Sequence, residues 1–95
     1  MPDVDVACTR EGTGWRCRVR VREGASATEH AVGVADVDLA RLDPGAVDPE
    51  RLVGAAFAFL LAREPKESVL GAFDLQVIGR YFPGWERELP RLLGR

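Results

Sequence analysis

Residues 15 to 22, Trp-Arg-Cys-Arg-Val-Arg-Val-Arg, alternate without a break between an apolar side chain and an arginine. Period two is the mark of a strand with one covered face, and here the other face is entirely basic. Upstream, Val4, Val6 and Cys8 alternate with Asp5, Ala7 and Thr9, and Gly12-Thr13 offers a two-residue hairpin turn with glycine first. Closing the hairpin there sets Val6 opposite Val19 and Cys8 opposite Cys17, so that all the apolar residues share one face. A slip of one residue would mix them. A second turn at Gly24-Ala25 leads to a strand from Ala27 to Val34, which adds His30, Val32 and Val34 to the apolar face. Arg20 then lies between Asp5 and Glu29, and Arg22 can meet Asp3. The expectation is a three-stranded antiparallel meander over residues 3–34, with one apolar face that needs a second layer.

The rest of the chain supplies that layer. Asp36 is placed to cap a short helix through Leu39 and Leu42, ended by Asp43-Pro44-Gly45. Asp48-Pro49-Glu50 combines an N-cap, a proline at the first helical position and an acid near the positive helix end. The helix it opens should run to about Arg63. It carries no charge from Leu52 to Ala62, which predicts a central position between the sheet and later helices. After Pro65 the pattern predicts a short helix through Val69 and Leu70, then a helix capped by Asp74 that runs through Leu75, Ile78, Tyr81 and Phe82. A last helix from Trp85 to Leu93 should be kinked or restarted by Pro90. The fold class is therefore α+β: the meander packed on four or five short helices over residues 36–95, all within a single domain spanning residues 1–95.

Hydrophobic residues at 46% and charged ones at 29% fit an ordinary globular chain. Thirteen basic against fifteen acidic residues give a net charge of -2, which argues against a dedicated nucleic-acid binder. The longest apolar run falls short of the ~18 to 20 residues that cross a bilayer, so no membrane partner is expected. The acidic start, Met1-Pro2-Asp3-Val4-Asp5, lacks the regions of a secretory signal, and a cytoplasmic location is expected. In a reducing compartment Cys8 and Cys17 should be buried free thiols, with a redox bridge as the alternative. His30, the only histidine, is on the apolar face without metal-ligand companions, and Cys17, which could approach it diagonally, should be covered by helices along with it. No catalytic residue, metal or cofactor is expected, and the chain does not read as an enzyme.

Two features remain as candidate sites. On the arginine face, Arg16 and Arg18 have small neighbours, Ala7, Thr9, Ala31 and Gly33, and could receive a phosphate or a carboxylate. Near the C-terminus, residues 73 to 85 hold four of the seven aromatics, and Tyr81, Phe82 and Trp85 are candidates for a partner-binding patch. The same stretch has the outline of a helix-turn-helix. The runs Phe59-Leu60-Leu61-Ala62-Arg63-Glu64-Pro65-Lys66-Glu67-Ser68-Val69-Leu70, Phe73-Asp74-Leu75 and Arg80-Tyr81-Phe82-Pro83 resemble segments of small bacterial proteins of about this length, mostly from GC-rich genomes. Those proteins carry no assigned activity, so the resemblance implies a stand-alone domain and transfers no site residue. The function expected is a non-enzymatic interaction module or accessory subunit, acting on a protein partner or on itself as a homodimer. The alternative is a nucleic-acid-binding regulator that uses the arginine face or the helix-turn-helix outline.

Overall fold

In the computed structural model, which describes residues 2–94, both hairpins close on the expected glycines: Gly12 and Gly24 have φ of 60° and 61°, which residues with a Cβ rarely adopt. Strands β1 (Asp3–Glu11), β2 (Gly14–Glu23) and β3 (Ser26–Ala35) follow in the register set by those turns. Val6 faces Val19, Cys8 faces Cys17, and Val19 faces His30. Gly14 is needed for a different reason. A Cβ there would lie 2.6 Å from the Val34 carbonyl oxygen, so only glycine lets β2 start this close to β3.

The sheet has four strands, in the order β1-β2-β3-β4, and is mixed, which corrects the three-stranded expectation. The fourth, β4 (Ala72–Asp74), runs parallel to β3 and replaces the helix expected around Val69 and Leu70. Only a 3-10 turn at Lys66–Ser68 forms there. The outer edge of β3 provides the reason, since it offers hydrogen-bonding groups that a helix could not use. The amide of Ala31 donates to the Gly71 carbonyl at 2.8 Å, and His30 Nδ1–H donates to the Leu70 carbonyl at 2.8 Å.

Among the described residues four helices complete the second layer: α1 (Asp36–Leu42), α2 (Glu50–Leu61), α3 (Ile78–Tyr81) and α4 (Trp85–Leu92). Asp36 is not the cap of α1. That position falls to Ala35, and the Asp36 carboxylate is taken by Arg10 at 2.7 and 3.0 Å. Arg10 also lies over the Trp15 ring, its cross-strand neighbour, at 5.0 Å. Helix α2 starts one residue later than its sequence signal, with Pro49 and not Asp48 in the N-cap position, though the Glu50 amide still donates to Asp48 Oδ1 at 2.9 Å. Buried Asp43 accepts from Arg51 at 2.7 Å, which ties the end of α1 to the first turn of α2.

Helix α2 is the centre of the core. Leu52, Val53, Ala56 and Phe57 are fully buried, and the helix packs against β1 on one side and α4 on the other. Phe57 meets His30 at 5.3 Å and Phe73 at 6.2 Å between ring centroids, so one side chain joins α2 to both β3 and β4. Pro90 lies inside α4 without ending it, and the Leu93 amide still reaches the Leu89 carbonyl at 2.8 Å.

Candidate functional site

The arginine face forms as the register requires, and the protein's own acids occupy most of it. Arg20 pairs with Glu29 directly opposite at 3.1 Å. Arg22 reaches diagonally to Asp5 at 2.9 Å, not to Asp3, and Arg16 reaches diagonally to Glu11 at 2.9 and 3.1 Å. The hydrogen bond and then the charge of Arg16 hold the Glu11 carboxyl below its usual range. A second acid stands near Arg16. Gly33 lies opposite it on β3, and the Asp74 carboxylate from β4 crosses the space a Cβ at Gly33 would need, at 2.5 Å. Arg16 is thus no free anion receptor. Arg18 alone of the four has no ion-pair partner among the described residues, and it lines a hollow of about 490 Å³ together with Ala7, Thr9, Ala31 and Gly71.

Among the aromatics, Trp85 is 1% exposed and belongs to the core, which corrects its assignment to a partner-binding patch. As the first residue of α4 it turns inward onto Phe59, 6.2 Å away between ring centroids. Phe82 is half-buried, edge-on to Phe59 at 5.7 Å. Tyr81 is 66% exposed. The helix-turn-helix outline does not form. Leu75–Val77 is a 3-10 turn and α3 has 4 residues, too short to enter a major groove.

Tyr81 and Phe82 instead border an apolar groove of about 210 Å³ between the end of α2, β4 and α3. Its floor is formed by Leu60, Val69 and Ile78, all buried, and its walls by Phe73, Val77 and Phe82. Leu70, 48% exposed, and Tyr81 stand at its lips. They are two of the four large apolar residues exposed on the described surface, the others being Val37 and Val47. The remaining lining is polar, Ser68 and Glu64. Glu64 is the one charged residue of the lining, and its carboxylate makes no hydrogen bond or ion pair among the described residues. Leu70, Phe73 and Glu64 give no sign in the sequence of belonging to a site, because the strand and turn that gather them lack a period of their own.

The other reactive residues are engaged. His30 is 4% exposed; its Nδ1–H donates to Leu70 and its Nε2 meets the Thr28 hydroxyl at 2.9 Å, so both ring nitrogens are satisfied. Cys8 and Cys17 form a disulfide, which corrects the expectation of free thiols. They face each other at a non-hydrogen-bonded position of the hairpin, where Cα atoms come closest, here 4.0 Å apart. Among the described residues no three His, Cys, Asp or Glu side chains gather as a metal site would require. No family model, curated protein or solved structure matches the chain.

Proposed function

We propose that the protein is a small non-enzymatic interaction module that receives an apolar side chain of a protein partner in the groove between Leu70 and Tyr81. The observation that supports this most is the placement of two exposed large apolar side chains on the lips of one concave apolar surface. Its size fits the reading. About 210 Å³ is below the roughly 300 to 1,000 Å³ of drug-sized ligand pockets and suits a single anchoring side chain.

The alternative, nucleic-acid recognition through the arginine face, is less well supported. Three of its four arginines are already paired with carboxylates at 3.1 Å or less, and the net charge is -2. No helix among the described residues is long and apolar enough to cross a membrane. A cytoplasmic location is part of the proposal, and the Cys8–Cys17 bond is the feature that pulls against it, because cytosolic reductants keep most thiols reduced.

Affinity capture with the intact protein tests the reading, comparing wild type with the Leu70→Ser/Tyr81→Ser and Arg18→Ala variants. A partner held by wild type and Arg18→Ala but lost from the double variant is expected. A partner lost only from Arg18→Ala would shift the site to the sheet face.

A further inference from the structure

We infer that the groove selects a basic partner: a segment presenting an apolar side chain next to a lysine or arginine, the apolar group entering the groove and the cation pairing with Glu64. This rests on the reading of the groove as a protein-binding site and adds the chemistry of what enters it. Glu64 is the single charge of the lining. The basic residues nearest in sequence are committed elsewhere. Arg63 lies over the Phe59 ring at 3.6 Å, donates to the Phe59 carbonyl at 3.0 Å and faces Glu88 at 3.6 Å. Lys66 is 5% exposed and donates to Glu67 at 2.7 Å. The Glu64 carboxylate is therefore left half-exposed beside apolar surface, with no cation from the described residues upon it.

The consequence is electrostatic. An acidic ligand entering the groove would bring like charge against Glu64 and displace its water, while a cation beside the anchor would be attracted. The hydroxyls of Ser68 and Tyr81, which make no side-chain hydrogen bond among the described residues, are further acceptors for such a cation. On the arginine face, by contrast, Asp5, Glu11 and Glu29 are each neutralised by an arginine from a neighbouring strand position.

The test uses two probes of matched shape, 4-phenylbutylamine and 4-phenylbutyrate, titrated at low salt into the isotopically labelled protein while backbone amide shifts are followed. Shifts confined to the groove, at Leu70, Phe73, Tyr81 and Phe82, are expected for the amine, which should bind about threefold more tightly than the carboxylate, as an exposed ion pair allows. Glu64→Gln should bring the two probes level while keeping the groove shifts. If the carboxylate binds as well as the amine to the wild type, or if Glu64→Gln leaves the preference intact, charge selection is overturned and the groove remains a binding site. If neither probe moves a groove amide, both readings fall. Concentration-dependent broadening of the groove amides without a probe would identify a second copy as the occupant and would also overturn the proposal.

Discussion

The two halves of this chain differ in what they leave open at the surface. In the hairpins, three of the four arginines on the open face are matched by a carboxylate from the same sheet, within reach because cross-strand and diagonal positions are set by the turns. In the C-terminal part, Arg41, Arg51, Lys66 and Arg91 also find acids, but short elements packed on an aromatic core leave Leu70 and Tyr81 exposed and Glu64 half-exposed around a groove. A regular sheet brings most of its charges within reach of a partner. The irregular layer cannot close over every side chain it collects, and the surplus is what a partner can use.

The largest expected effect is at the residue where the halves meet. Phe57→Ala removes the ring between His30 and Phe73, and should cost about 3 to 5 kcal/mol in urea unfolding, with strand and helix signals lost together. If only one half were weakened, the core would not be shared as described. Next is the disulfide, which closes a short hairpin loop, 9 residues apart in sequence. Cys8→Ala/Cys17→Ala should lower stability by about 2 to 3 kcal/mol, and adding a reductant to the wild type should do the same. Substituting the groove lips should do much less. Leu70→Ser/Tyr81→Ser should change the unfolding free energy by no more than about 0.5 kcal/mol per site, because neither side chain is buried.

The smallest effect is a dependence on pH, to which both halves contribute. Glu11 and Asp36 are held below their usual carboxylate range by hydrogen bonds from Arg16 and Arg10. A carboxyl with a lowered folded-state pKa adds stability that is complete above its unfolded value, near pH 4, and is lost as the pH falls through the folded value. Urea midpoints should be level from pH 7 to about 5 and fall below 4, and the fall should be shallower in Glu11→Gln. These pairs are exposed, so added salt should flatten the slope too.

What could be read from the residues follows the same division. Two turns with glycine first and strict alternation fixed the pairing of β1, β2 and β3, because any other register would expose valines and bury arginines. The buried, satisfied His30 follows from its place on the apolar face. Strand β4 was not legible. At 3 residues it shows no period, and it exists because the edge of β3 offers partners. Its absence from the sequence reading hid Asp74, a second acid beside an Arg16 that Glu11 already occupies. Trp85 went to the wrong side because its position depends on how α4 rolls onto Phe59, a packing choice with no local mark. The groove was legible only through Tyr81 and Phe82, two residues of a surface completed by a turn and a strand that carry no period of their own.

The claim that the C-terminal groove, and not the arginine face, meets the partner can be tested in one measurement in the native host. A photo-crosslinking residue is placed at Tyr81 in one strain and at Arg18 in another, both exposed sites. The account predicts a discrete crosslinked protein from position 81 and none from position 18. A crosslink from position 18, with position 81 silent, would contradict it.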